Sequence, residues 1–172
     1  MELFGYKLRI ELFLCIIFFI VPIILPLFAD YSQPSLSEYY YTSQKYTYIT
    51  LLSIIGILTI LDGVMYSTRR YNILIGLSMI GVVVFPVEEF RITHDIFAII
   101  FFVGNAFIVT YYSKLLVIAK KMAFLIIIIL TLLLLMFDII NLYVAETMGM
   151  LSMSYFMFTR YSILELRNKI VA

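Results

Sequence analysis

Long apolar runs are the feature that most constrains this 172-residue chain. A membrane-spanning helix needs about 20 mostly apolar residues, because the hydrocarbon core is about 30 Å thick and a helix rises about 1.5 Å per residue. The chain is 64% hydrophobic and only 13% charged, whereas average globular chains are about half apolar and about a quarter charged. A soluble domain of this size could not bury so much apolar surface. The sequence therefore predicts a multi-pass integral membrane protein.

Six apolar stretches predict an all-α bundle of six transmembrane helices that forms a single domain, residues 1–172. The stretches are continuously apolar, which favours helices over the alternating strands of a membrane barrel. Pro22 and Pro26 fall in the first stretch, and we expect a kinked helix that is retained rather than a cleaved signal peptide. The predicted helices are residues 10–29, 46–66, 71–87, 95–113, 122–144 and 147–164.

The basic residues orient this bundle, because cytoplasmic loops and termini carry an excess of lysine and arginine. Ten of the twelve basic residues fall on the side that holds both termini, and Lys45 and Arg91 fall on the other. We therefore expect both termini in the cytoplasm. The ten are Lys7, Arg9, Arg69, Arg70, Lys114, Lys120, Lys121, Arg160, Arg167 and Lys169.

Polar residues on the outer side predict a small binding pocket. Asp138 lies sixteen residues, about 24 Å, beyond the start of the predicted fifth helix at 122, where a carboxylate normally faces protein or water rather than lipid. Glu88, Glu89 and Glu146 are expected to face water. The residues expected to hold a small ligand or lipid headgroup are Ser37, Tyr40, Tyr41, His94, Asp95, Asp138 and Asn141.

Three further polar residues lie within predicted helices, and we expect them to be structural. Asp62 and Arg160 lie at similar depth with opposite charge, which favours an ion pair, because an unpaired ion there costs several kcal/mol. Arg69 is the competing partner for Asp62. Asn105 lies midway along the fourth helix and is expected to hydrogen-bond between helices. Glycines such as Gly56 and Gly76 permit close approach of neighbouring helices by the same principle.

Scarcity of metal-binding and redox residues excludes several chemistries. The chain has one histidine and one cysteine, Cys15. A catalytic zinc generally needs three protein ligands, usually rich in histidine, and a single thiol cannot form an intramolecular disulfide. A net charge of +1 gives no bulk attraction to nucleic acid. We therefore expect no metal, no cofactor and no nucleic-acid partner.

Three motifs occur together in the first two-thirds of the chain. Residues 34–42 read Pro-Ser-Leu-Ser-Glu-Tyr-Tyr-Tyr-Thr, the third apolar stretch ends in Phe85-Pro86, and the fourth opens on His94. With these motifs the chain resembles a group of small, uncharacterised bacterial multi-pass membrane proteins. The resemblance implies the bacterial inner membrane and a shared outer site for Ser37, Tyr40, Tyr41 and His94. It implies no particular activity.

Three functions remain open from the sequence. We expect a non-enzymatic bundle that binds a small ligand or lipid at its outer face, or that serves as a partner subunit in a homo- or hetero-oligomer. Transport of a small molecule or ion is the alternative, and it requires a continuous polar path from the outer cluster to Asn105 and Asp62. A membrane-embedded hydrolase using Ser37, His94 and Asp138 is the third, and it requires a serine hydroxyl that reaches His94.

Overall fold

The computed structural model describes residues 2–65, 69–112 and 118–171, and all regular structure within them is helical. This confirms the all-α prediction. A short 3-10 helix, Ser37–Tyr41, follows the first helix. The α-helices are α1 (Glu2–Phe28), α2 (Lys45–Met65), α3 (Tyr71–Val84), α4 (Arg91–Tyr112), α5 (Ile118–Met136) and α6 (Leu142–Val171).

Three helical segments in this part of the chain are long and apolar enough to cross a membrane: Ile10–Phe28, Lys45–Met65 and Arg91–Ile108. Two further apolar helices, Tyr71–Val84 and Lys121–Met136, are shorter. These lengths support the membrane association that the apolar runs predicted.

The helices pack in a ring in which each α-helix contacts its neighbours in sequence. In addition α1 packs against α6, which closes the ring, and α4 reaches α6 across it. The core is built mainly by α1, α2, α3, α4 and α6, whereas α5 is thinly packed. Among the α5 side chains that the structure describes, Phe124 and Thr131 are buried and most of the others are exposed.

The interface of α2 and α3 depends on glycine. A Cβ atom on Gly76 would lie 2.5 Å from the carbonyl oxygen of Gly56 and 2.8 Å from the backbone nitrogen of Ile60. These separations are too short for any side chain, so the two backbones touch directly. The predicted role of Gly56 and Gly76 in close helix approach is confirmed.

Pro26 leaves one carbonyl group of α1 without its helical donor, and a side chain of α6 bonds to this carbonyl. Pro26 has no N–H group, so the carbonyl of Pro22, four residues earlier, loses its helical donor. The hydroxyl of Tyr143, in the first turn of α6, donates to that carbonyl at 2.6 Å. A side chain of α6 thus supplies the hydrogen bond that the helix itself cannot make.

The predicted fifth helix, 122–144, is wrong at its C-terminal end. Helix α5 ends at Met136, and residues 137–141 form a turn in which Asp138 has a φ of 53°. Aspartate is among the residues that tolerate this left-handed conformation. Asn141 accepts a 2.9 Å hydrogen bond from the backbone N–H of Val144 and caps α6. Asp138 and Asn141 therefore do not share a helical face.

Other predicted boundaries also differ from the structure, since α1 begins at Glu2 rather than at 10 and α6 is Leu142–Val171 rather than 147–164. Two further differences lie around Pro86. Helix α3 ends at Val84 rather than at 87, because the residue before a proline is disfavoured in helical conformation. Helix α4 begins at Arg91 rather than at 95, which places His94 in its first turn.

Asp62 lies in a buried polar cluster at the end of the bundle away from the 3-10 helix. The Arg69 guanidinium contacts Asp62 at 3.1 Å and Glu11 of α1 at 2.9 Å. Asn72 donates to Asp62 at 2.6 Å. Arg69 is therefore a partner of Asp62, and the side chain of Arg160 lies outside the described residues. No pattern in the sequence indicated that Glu11 would join this cluster.

Asn105 is buried in α4, and its side-chain amide donates to the carbonyl of Phe101 at 2.7 Å. This bond lies within one helix and is not the interhelical bond that the sequence predicted.

Candidate functional site

A cavity of about 720 Å³ lies between α4, α5 and α6, beneath the segment that leads into the 3-10 helix. One end of the cavity is polar, and the walls below it are apolar apart from Thr131. Polar residues at this end are Ser35, Ser37, Glu38, Glu88, Arg91, His94, Asp95 and Glu146. Apolar residues of the wall include Ile99, Phe102, Val103, Ile128, Leu132 and Leu135.

His94 joins two loops at the polar end. Its Nδ1 atom lies 2.8 Å from the carbonyl oxygen of Phe85, and its Nε2 atom lies 2.8 Å from the hydroxyl oxygen of Ser37. A carbonyl can only accept, so in the neutral ring Nδ1 carries the proton and Nε2 accepts from the Ser37 hydroxyl. His94 is 3% exposed and Ser37 is 7% exposed. Ser37 and His94, which the sequence motifs predicted to share a site, are in direct contact.

The chain around Pro86 explains how His94 reaches its two partners. Helix α3 stops before this proline, and the turn that follows closes with a bond from the N–H of Phe90 to the carbonyl of Pro86. His94 then lies in the first turn of α4, where side chains point back toward the helix start. The ring therefore faces the end of α3 and the 3-10 helix.

Glu146 fixes the segment just before Ser37. Its Oε2 atom accepts a 2.6 Å hydrogen bond from the backbone N–H of Leu36, and the side chain is buried with 9% exposure. Burial raises the pKa of the Glu146 carboxyl to about 7. The Leu36 N–H opposes this rise, the charge of Glu38 adds to it, and the nearby Ser37 hydroxyl opposes it. The expectation that Glu146 faces water is wrong. Glu88 and Glu89 are exposed, as predicted.

A helical spacing in the sequence could have indicated the burial of Glu146. Positions three, four and seven residues later are Gly149, Met150 and Met153, and all three are buried. Residues at these intervals share one face of a helix. Glu146 extends that face by one turn toward the polar end of the cavity.

Tyr40 and Tyr41 belong to the 3-10 helix, and neither side chain lines the cavity. The Tyr41 hydroxyl donates to Glu89 at 2.6 Å and accepts from the backbone N–H of Glu88 at 2.9 Å. Burial and the bond to Glu89 raise the pKa of Tyr41 to about 12. The Tyr40 ring packs edge-on against Tyr41, with the ammonium group of Lys45 4.2 Å from its centre.

The structure brings together part of the predicted pocket. Ser37, His94 and Asp95 line the cavity, whereas Tyr40 and Tyr41 support it from outside. Asp138 is exposed in the turn after α5, and Asn141 is a helix cap, so neither joins the site. Arg91 and Glu146 are cavity residues that sequence reasoning did not place there. Within residues 2–65, 69–112 and 118–171, no three His, Cys, Asp or Glu side chains are placed to hold a metal ion.

Comparison with known protein families gives a match. Residues 20–161 match the sequence model of a family of unknown function (DUF7103), and this range contains the whole cavity lining. No curated protein and no solved structure matches the chain.

Proposed function

The chain belongs to DUF7103, a family of unknown function, and from its cavity we propose that it binds a lipid-like amphipathic ligand at the outer face of a bacterial inner membrane. The observation that carries the proposal is a cavity that has both a polar end and apolar walls. Ligand sites commonly have volumes of about 300–1,000 Å³, mostly apolar linings and a few polar groups that fix orientation. A polar headgroup would lie against Ser37, His94 and Arg91, and an acyl chain would lie along the walls.

The depth of the cavity suits a ligand taken from one leaflet. Its lining on α4 runs from Arg91 to Val103, twelve residues that rise about 18 Å. Half of a hydrocarbon core of about 30 Å is about 15 Å. A lipid with its headgroup at the polar end would therefore extend to about the middle of the bilayer.

The proposed topology has six spans and both termini in the cytoplasm, which places the polar end outside. It is supported by the asymmetry of the basic residues and by the three long apolar helices. Helix α3, with 14 residues, rises about 21 Å, so the chain from 85 to 87 completes its crossing. We propose that the lipid enters the cavity sideways from the bilayer along α5. The described side chains of α5 are less buried than those of α4 and α6, which form the rest of the wall.

The same lining gives less support to transport. Neither Asn105 nor Asp62 lies among the lining residues, and the α4 wall beyond Asp95 is apolar. Binding without translocation is therefore our first choice.

The test is a substitution that fills the cavity with a larger side chain, followed by a measurement of the lipid that stays bound to the purified protein. The variant Ala98→Phe places a ring in the lining, and the matched control Ala123→Phe places the same ring at an exposed position of α5 outside it. We expect native mass spectrometry of detergent-purified protein to find phospholipid adducts on the wild type and on Ala123→Phe. Retention should fall at least about tenfold in Ala98→Phe, which is a loss of about 1.4 kcal/mol or more in binding. Equal retention in all three proteins, or none in the wild type, would refute the proposal.

A further inference from the structure

The hydrogen bond between Ser37 and His94 has the geometry of a nucleophile and its general base. The distance of 2.8 Å from Oγ to Nε2 falls within the range of about 2.6–3.2 Å that proton transfer requires. The second ring nitrogen donates to the Phe85 carbonyl at 2.8 Å. That bond fixes the tautomer in which Nε2 can take a proton, which is the role that a carboxylate fills in a serine–histidine–aspartate triad.

We propose that Ser37 and His94 form a catalytic dyad that hydrolyses a carboxylic ester in the amphiphile bound by the cavity. This inference rests on the proposed binding function, because the cavity presents the ester to the serine. It also changes the triad predicted from sequence. The exposed Asp138 lies outside the site, and the backbone carbonyl of Phe85 orients the histidine instead.

The location of the pair separates this site from an ordinary buried serine–histidine bond. Both side chains line the 720 Å³ cavity, which has apolar walls long enough for an acyl chain. Glu88 is exposed at the same end, where its carboxylate is expected to face water. The dyad thus lies where a lipid ester and water would meet.

Two further residues would assist the dyad. Arg91 lies three residues before His94 in α4 and lines the same end of the cavity, so its guanidinium is the cation available to a developing oxyanion. Glu146 is a positioning residue, because it holds the backbone N–H of Leu36 at 2.6 Å, immediately before the nucleophile.

The reaction needs only the ester and water. The Ser37 oxygen attacks the ester carbonyl carbon while its proton moves to Nε2 of His94. The bond from that carbon to the alcohol oxygen then breaks, and His94 returns the proton to the departing alcohol. Water attacks the resulting acyl-serine and gives a proton to Nε2, the bond to the Ser37 oxygen breaks, and the proton returns to Ser37. The products are one carboxylic acid and one alcohol, with no change in oxidation state.

The test uses a fluorophosphonate probe on the full chain in detergent, with the labelled residue identified by peptide mass spectrometry. We expect a covalent adduct on Ser37, which is absent in Ser37→Ala and unchanged in the control Ser78→Ala, a buried serine of α3 that lies outside the cavity lining. His94→Gln should slow labelling at least about 100-fold, the size expected for loss of a general base. Hydrolysis of p-nitrophenyl decanoate should follow the same order.

Lipid retention measured on the same samples separates the two proposals. Ser37→Ala loses one headgroup contact but keeps the apolar walls, so it should retain most of its lipid while it loses all labelling. A wild type that retains lipid but gives no Ser37 adduct would overturn the catalytic proposal and leave binding intact. Labelling of Ser35 as readily as Ser37 would overturn the catalytic proposal as well. Should His94→Gln fail to fold, the comparison of Ser37→Ala with Ser78→Ala still decides.

Discussion

The bond from the Tyr143 hydroxyl to the Pro22 carbonyl is predicted to be worth more than a typical hydrogen bond. Pro26 removes the helical donor for that carbonyl, and the tyrosine supplies the replacement at 2.6 Å. Tyr143→Phe removes the hydroxyl and leaves a buried carbonyl without a partner, which costs about 1–3 kcal/mol. A loss of about 2 kcal/mol would lower the ratio of folded to unfolded protein about 30-fold.

A second substitution tests the reason for this cost. Pro26→Ala restores a backbone N–H four residues after Pro22, so the helix can satisfy the carbonyl itself. In the Pro26→Ala background, Tyr143→Phe should therefore cost less than about 0.5 kcal/mol, since a satisfied carbonyl no longer depends on the hydroxyl. The difference between the two backgrounds is the coupling free energy of the pair.

The assay is equilibrium unfolding of the four proteins in mixed micelles, followed by circular dichroism. Ser162→Ala is the control, because it removes an exposed hydroxyl that bonds within α6. The same cost for Tyr143→Phe in both backgrounds would refute the reasoning, because it would show that the hydroxyl acts independently of the missing helical donor.

Three further predictions concern stability and use the same unfolding assay. Because the pKa of Glu146 rises from 4.5 to about 7, the folded protein binds this proton more tightly than the unfolded chain, and stability should fall by up to about 3 kcal/mol between pH 4.5 and pH 7. Glu146→Gln should remove this dependence, and an unchanged slope would contradict the burial argument. Gly76→Ala should cost about 1–3 kcal/mol, because its new Cβ atom would lie 2.5 Å from a carbonyl oxygen of α2, and a neutral result would mean that the helices separate freely. Arg69→Gln should cost about 3–5 kcal/mol, because it leaves the buried carboxylates of Glu11 and Asp62 without this counter-charge, and a cost below about 1 kcal/mol would show that other groups neutralise them.

The site predicted from the sequence was partly correct, and the reason differs from residue to residue. Ser37 and His94 come from separate helices, yet the motifs around them suggested that they lie close together, and the structure places them 2.8 Å apart. Asp138 was placed by counting along a helix that was assumed to continue. That count failed because the chain turns after Met136 and the carboxylate leaves the bundle.

The sequence alone determined the helical class and the approximate position of each α-helix that the structure describes, because the length of an apolar run is a local property of the chain. It also indicated the glycine contact between α2 and α3, because small residues permit close approach of a neighbouring helix whichever helix that is. The tertiary structure decided which polar groups meet. Arg69 contacts Asp62, and Glu146 is buried against Leu36, because those contacts depend on which helices are neighbours in the ring. The cavity likewise depends on how α4, α5 and α6 pack together, and the sequence of one helix does not determine the space between it and its neighbours.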